Sequence, residues 1–274
     1  MRLNWPYIRE VGPCRFVART AVRQFVKRIL RRDLRVRLPT GLPLDLPRNN
    51  QAASEIYVKA CHLDWGSDAL LARHLDPAGC FVDVGANIGY YTLYMAPLVR
   101  RVFAVEPDRR NWPALERNAA RAPNVIVVKA AASASAGKGF LWTGGNSAIG
   151  HLAADGQPTD ITTIDILAGG ERITGIKIDV EGHDFNVLKG AEATIRRDNP
   201  LVLTEFTTSD INDPAALFAF IGRLGYRAYG FVDATGRHFA LLAPATVRQA
   251  AMVFLVPPRL QPAFERLSAA DGGA

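Results

Sequence analysis

Apolar and polar positions change rhythm several times along this chain. Near its start, Ala18, Val22, Phe25, Val26, Ile29 and Leu30 gather on one side of a helix that advances about 100° per residue. Arg23, Lys27, Arg28, Arg31 and Arg32 fall opposite them. The pattern predicts a basic amphipathic helix. RVRLPTGLPLDLP, from Arg35 to Pro47, alternates in short apolar and polar steps around a Thr-Gly pair and predicts a hairpin that caps the domain. A connecting helix is expected over much of Ser54 to Leu75.

From Phe81 onward, short apolar runs alternate with stretches of helical period, the signature of a parallel sheet with crossover helices. FVDVGAN reads as the first strand, Tyr90 to Met95 as helix, VFAVEP (Val102 to Pro107) as the second strand, and Ala114 to Arg121 as helix. VIVV from Val125 is the third strand. The Gly-rich stretch from Gly137 to Gly156, with TDITTIDIL (Thr159 to Leu167), predicts an inserted hairpin. IKIDVEG, Ile176 to Gly182, is the fourth strand and LVLTEF from Leu201 the fifth. Between them Asp184 opens a helix with Val187, Leu188, Ala191 and Ile195 on one face, stopped by Pro200. YRAYGFVD and AMVFLV suit an antiparallel pair at the sheet edge. The expected fold is α/β and Rossmann-like: a mostly parallel seven-stranded sheet with an antiparallel edge strand. Residues 1–50 form an N-terminal helix and hairpin appendage, and residues 51–274 form the main domain.

Charge sharpens the reading of the appendage. The net charge is +7, yet residues 15 to 37 hold nine Arg and Lys against the single Asp33. The remainder, with 24 basic and 25 acidic residues, is close to neutral. The basic character therefore bears on partners rather than on chemistry. Peripheral membrane contact through residues 15–37 and docking of the helix on its own domain both suit its clean apolar face. Phosphate contacts would also suit the clustered charge, but nucleic acid is not the expected partner. Cys14, Cys61 and Cys80 match neither a metal pattern nor a disulfide framework, and no apolar run approaches the ~20 residues that span a bilayer. A cytoplasmic protein is expected, with a peripheral position at the inner membrane surface as one option.

In an open parallel sheet, ligands bind beyond the carboxyl ends of the strands. The loop after the first strand, Gly85-Ala86-Asn87-Ile88-Gly89, has the glycines that let the backbone turn tightly there. A dinucleotide site wants three glycines and free N–H groups against pyrophosphate. Here Asp83 and Asn87 stand in their place. A carboxylate would repel pyrophosphate, but it suits the sulfonium and ammonium charges of S-adenosylmethionine. Glu106, at the end of the second strand, is placed to accept hydrogen bonds from both ribose hydroxyls. The residues thus point to an S-adenosylmethionine-dependent methyltransferase, with a nicotinamide-dependent oxidoreductase as one alternative and an RNA methyltransferase as another.

Period-two alternation along the fourth strand puts Lys177, Asp179 and Glu181 on one side, with His183 just beyond. Methyl transfer to oxygen needs the acceptor hydroxyl aligned and a base for its proton. His183 or Glu181 is the expected base, Asp179 holds the methionyl portion or orients the base, and Lys177 pairs with these acids. Asp179, Glu181, His183 and Asp165 carry donors of the kind divalent ions accept, but their spacing is no metal motif, and no metal is expected. The signatures NPPY and DPPF, which support methylation of base amino groups, are missing at this strand, so oxygen is the expected acceptor. Asn146, Ser147, Trp142 and Glu205 are further candidates for the pocket wall.

FVDVGANIGYYTLYMA, VFAVEP and IKIDVEGHDFNVLKGA closing on PLVLTEF, taken in order from Phe81 to Phe206, resemble the FkbM-type methyltransferase family. The resemblance implies a class I methyltransferase fold using S-adenosylmethionine, acting on hydroxyl oxygens of sugars or secondary metabolites. A lipid-linked glycan would fit a membrane-associated form. The family often carries a longer acidic residue after the Gly-His pair, where this chain has Asp184.

Overall fold

The computed structural model describes residues 8–9, 11–60, 63–142, 151–180, 182–205, 214–232, 238–250 and 252–271. Helix α1 (Pro13–Phe25) runs on into a π-helical turn (Val26–Leu30) and is followed by a hairpin of β1 (Leu34–Arg37) and β2 (Pro43–Leu46). Next come α2 (Gln51–Val58), α3 (Ser67–Ala72), β3 (Cys80–Val84), α4 (Tyr90–Met95), β4 (Arg101–Val105), α5 (Trp112–Ala119) and β5 (Val125–Val128). An insertion follows, made of β6 (Ala131–Ala132), β7 (Gly137–Trp142), β8 (His151–Ala153) and β9 (Gln157–Thr162), and then α6 (Ile164–Ala168). The chain returns through β10 (Ile173–Ile178), α7 (Asp184–Lys189), α8 (Glu192–Asp198), β11 (Leu201–Thr204) and α9 (Pro214–Arg223). It closes with β12 (Arg227–Phe231), β13 (Phe239–Leu241), β14 (Val253–Val256) and α10 (Gln261–Asp271).

The main sheet has eight strands in the order β13-β12-β14-β11-β10-β3-β4-β5. β5, β4, β3, β10 and β11 are parallel. Their side chains serve two cores: Phe81 and Leu203 enter the one that also holds Tyr90 and Phe254, while Val82, Val84 and Ile178 enter the other. Burial on both faces explains why β3, β4, β10 and β11 read as nearly continuous apolar runs, whereas β5, at the rim, exposes Ile126. The expected pairing of the two late strands is present, because β14 is antiparallel to β12. The expected edge is not. β14 is also antiparallel to β11, so it lies inside the sheet, and β13 takes the rim as an eighth strand. Burial explains the exchange: all four residues of β14 are buried, whereas Leu241 of β13 is 53% exposed.

Three further elements differ from the periodicity. The expected helix from Ser54 to Leu75 is two helices separated by a turn in which Asp64 (φ 53°) and Trp65 (φ 57°) take left-handed backbone. The helix opened by Asp184 breaks at Gly190, where a Cβ would lie 2.0 Å from the Ser133 carbonyl oxygen. Its Val187, Leu188, Ala191 and Ile195 still share one core. The predicted hairpin forms, with β7 pairing with both β8 and β9, but Ile164 to Ala168 is helical. Asn146 and Ser147 lie outside the described residues.

Helix α1 docks through Arg19 and Arg23, while Arg28, Arg31 and Arg32, expected on the same side as Arg23, stay exposed. Arg23 is 1% exposed, and its guanidinium donates to the carbonyls of Pro47 (2.7 Å) and Leu46 (3.3 Å) and to Ser54 Oγ (3.2 Å). Arg19 Nε donates to the Tyr57 carbonyl at 2.6 Å, and the guanidinium covers the Tyr57 ring at 4.6 Å. The apolar side faces outward instead. Leu38, Leu44 and Leu46 of the hairpin region share the core with Phe81. Arg23→Ala is therefore expected to cost about 2–4 kcal/mol, because it strands buried carbonyls that a charged donor now satisfies. Limited proteolysis should show new cleavage between residues 13 and 30. An unchanged digestion pattern would show that Arg23 does not hold the helix.

Candidate active site

The loop after β3 is shaped by its neighbours. Gly85 has φ 77°, and the N–H groups of Gly85 and Ala86 both donate to the Val105 carbonyl at 3.0 Å. A Cβ on Gly85 would lie 1.9 Å from the carbonyl oxygen of Asp179, so the loop rests directly on the backbone just past β10. Asn87, also left-handed at φ 51°, accepts at Oδ1 from Asn50 Nδ2 at 2.9 Å. Asn50 also caps α2, accepting from Ala53 N at 2.9 Å. Asn50 thus ties the appendage to the loop, as does Asn118, which donates to the carbonyls of Asp45 at 3.1 Å and Ile88 at 2.7 Å. Gly89 completes the turn at φ 91° and opens α4.

Glu106 follows β4 and is 5% exposed. Its Oε2 accepts from Asn87 N at 2.7 Å, and Oε1 accepts from Asp108 N at 2.9 Å and Asn111 Nδ2 at 3.3 Å. Burial pushes its carboxyl up to about 7, against the downward pull of these hydrogen bonds. The folded chain therefore holds a proton on Glu106 more tightly than the unfolded chain, whose carboxyl has the ordinary value of 4.5. The stability gained from that proton is complete below the unfolded value and is lost as pH rises through the folded one. Urea titrations should show the stability of wild type relative to Glu106→Gln declining between pH 4.5 and about 7. Parallel curves would exclude the shift.

The ends of β3 and β10 meet in a buried charge cluster. Lys177 Nζ donates to the Gly85 carbonyl at 3.1 Å and lies 3.2 Å from Asp179 Oδ2 and 3.8 Å from Asp83 Oδ1. Burial works against its charge, but Asp179 and Asp83 outweigh burial and hold the ammonium protonated. Of the acids expected beside Lys177, Asp179 lies there, and Asp83 joins as a partner that the strand alternation does not include. Asp83 is wholly buried: Oδ2 accepts from Thr92 Oγ1 at 2.6 Å, while Oδ1 has no hydrogen-bond donor. That oxygen faces Lys177 from within the sheet, and burial pushes the carboxyl above its ordinary value against the pull of Lys177. The Asp179 side chain is 38% exposed and is the carboxylate of this cluster that opens outward. β10 ends at Ile178, so the alternation expected through Gly182 stops one residue before Asp179. Asp179 N still donates to the Val84 carbonyl.

His183 stands at the N-terminus of α7, with Nε2 2.8 Å from Ser133 Oγ and Nδ1 3.3 Å from Asn186 Nδ2. Both ring nitrogens are thus engaged within the chain. Glu181 lies outside the described residues. Asp184 is buried and accepts from Thr204 Oγ1 at 3.1 Å, which makes it a tie between α7 and β11. Asp165 is turned away from this group and accepts from the N–H groups of Ala193 and Thr194 at the start of α8. Trp142 is exposed on β7, and Glu205 N donates to the Ile178 carbonyl.

The segment that holds this cluster can be placed among known proteins. A model of the methyltransferase FkbM domain matches residues 83–228, more than half of the chain. The chain belongs to the FkbM methyltransferase family. Its main sheet has the Rossmann-like arrangement. A hexuronic acid methyltransferase, AglP, from Haloferax volcanii is 29% identical over 158 residues. That likeness covers 55% of this chain and 65% of the relative, so the chain spans just under two thirds of its length. The crystal structure of an FkbM methyltransferase from Methylobacillus flagellatus KT aligns with TM-score 0.50 and 20% identity over 74% of this chain and 52% of that one.

The chain also brings to the site residues that motif spacing does not single out, Asn50 and Asp64 from before the matched FkbM segment among them. Asn50 looks like a helix cap, and nothing local shows its reach to Asn87. Tyr91 OH donates to Asp64 Oδ2 at 2.6 Å, and the Tyr91 ring lies 5.3 Å from Lys177 Nζ. Burial pushes the Asp64 carboxyl up to about 6. Asp64 also carries left-handed backbone of the kind that collects at functional sites. Ser133, one of several small residues after β6, gives no sequence signal for its contact with His183.

Proposed function

We propose that this chain transfers a methyl group from S-adenosylmethionine to a hydroxyl oxygen of a sugar or glycan. The likeness to the hexuronic acid methyltransferase carries the sugar reading, and family membership supports the cofactor. The residues fit that cofactor. A buried oxygen of Asp83 lacks a donor, Asp179 offers an outward carboxylate, and the Gly85 turn leaves no room for a Cβ beneath it. Gly85, Ala86, Asn87 and Gly89 would form the floor, Asp179 would face the cationic methionyl end, and Glu106 would sit beside the ribose.

S-adenosylmethionine supplies an electrophilic methyl carbon on a sulfonium. Lys177 pairs with Asp83 and Asp179 and donates to the Gly85 carbonyl, so these groups are held in place before any ligand arrives. His183 or Glu181 takes the proton of the acceptor hydroxyl; for His183 this requires one ring nitrogen to exchange its present contact with Ser133 or Asn186 for the acceptor, the other contact orienting the ring.

Incubation with methyl-labelled S-adenosylmethionine and acidic oligosaccharides should place an alkali-stable label in the sugar, as an ether does. Alkali-labile label would mean a carboxylate acceptor, and label in RNA would replace the sugar reading altogether. Calorimetry showing binding of a nicotinamide dinucleotide but not of S-adenosylmethionine would overturn the cofactor assignment. Turnover within about threefold of wild type for both His183→Ala and Glu181→Ala would overturn the base, since general base catalysis is worth about a hundredfold or more.

A further inference from the structure

Helix α1 and its π-helical turn dock by their arginines and carry an apolar face outward. Val17, Val22, Phe25, Ile29 and Leu30 are between 46% and 67% exposed along a rod of eighteen residues. Five large apolar side chains on one exposed helix exceed the scattered apolar residues of an ordinary surface and mark a binding face. The rim of this face is cationic. Arg15, Arg28, Arg31 and Arg32 are exposed, and the sequence from Val11 to Arg32 contains no Asp or Glu.

We propose that this face lies in the interface of an anionic lipid bilayer. An in-plane helix needs an apolar side that enters the acyl boundary and basic side chains that meet anionic headgroups, and α1 offers both on the side turned from the protein. Charge decides against a second copy of the chain as occupant, because face-to-face packing would set this wholly basic rim against itself. The face also needs no folding on arrival. Arg19 and Arg23 already hold the helix against α2 and the end of β2. The Leu46 and Pro47 carbonyls that Arg23 grips lie three or four residues before Asn50, which holds Asn87 of the cofactor loop. Membrane contact would therefore bring the cofactor loop close to the lipid surface.

The test is co-sedimentation of the full chain with vesicles of phosphatidylcholine alone and of phosphatidylcholine with phosphatidylglycerol. Binding to the anionic vesicles should exceed binding to the neutral ones about tenfold or more and should weaken with added salt. The double variant Phe25→Ser/Ile29→Ser should lose about tenfold while melting at the wild-type temperature. Should that variant unfold, Arg31→Glu/Arg32→Glu reads the same contact through charge and should also lose binding. No preference for anionic vesicles would overturn the proposal. So would a concentration-dependent dimer, seen by light scattering, that Phe25→Ser/Ile29→Ser dissolves.

Discussion

Lys177→Met is expected to lower the unfolding free energy by about 3–5 kcal/mol, the usual consequence of removing one member of a buried ion pair. The ammonium lies within 4 Å of two carboxylates, one of them wholly buried, and also donates to the Gly85 carbonyl. Methionine fills a similar volume, so the loss would be of charge rather than packing. Most of the cost would fall on Asp83, because Asp179 can turn toward solvent. Two comparisons distinguish this from general damage. The double variant Lys177→Met/Asp83→Asn should regain more than half of the lost stability, since no buried charge remains. The deficit of the single variant should also shrink as pH falls and Asp83 takes up a proton. Denaturant titrations that show neither recovery would mean that Lys177 acts by packing alone.

Gly85→Ala should be nearly as costly and should strike ligand binding directly. The left-handed backbone alone costs an alanine about 1–2 kcal/mol. The contact of the new Cβ with the Asp179 carbonyl oxygen costs more, since neither partner is a flexible side-chain tip. The loop would have to lift from β10, which would carry Asn87 off Asn50 and Glu106. Calorimetry should show affinity for S-adenosylmethionine reduced about tenfold or more, about 1.4 kcal/mol, alongside a lower melting temperature. An alanine variant with wild-type affinity would mean that the loop does not form the cofactor floor.

What the sequence makes legible is local. The runs FVDV, VFAV and LVLT are almost continuously apolar because both faces of those strands are covered, and this shows in any one strand without its neighbours. The glycine turn is equally self-contained. Long-range events escape such a reading. Helical periodicity separates two faces of residues 13 to 30 but does not say which one docks, and the choice here rests on backbone carbonyls at Leu46 and Pro47 that are invisible to periodicity. Periodicity also carries β10 too far, because alternation of charged and apolar residues continues through IKIDVEG after ladder pairing has ceased. At the site, the order of motifs locates the charge cluster. It does not reveal that Asp83 turns inward to Lys177 while Asp179 opens outward.

The place of β14 has a consequence for how a newly made chain behaves. β14 sits between β11 and β12, both of which precede it in the sequence. As translation proceeds, Leu201, Val202 and Leu203 leave the ribosome with one ladder edge open, and it stays open until residues 253–256 arrive. An unpaired apolar edge of this kind is a template for the wrong strand of another chain. The nascent protein therefore passes through an interval in which chaperone cover governs its yield, and a premature stop before Val253 would deliver an aggregating product rather than a weakened enzyme.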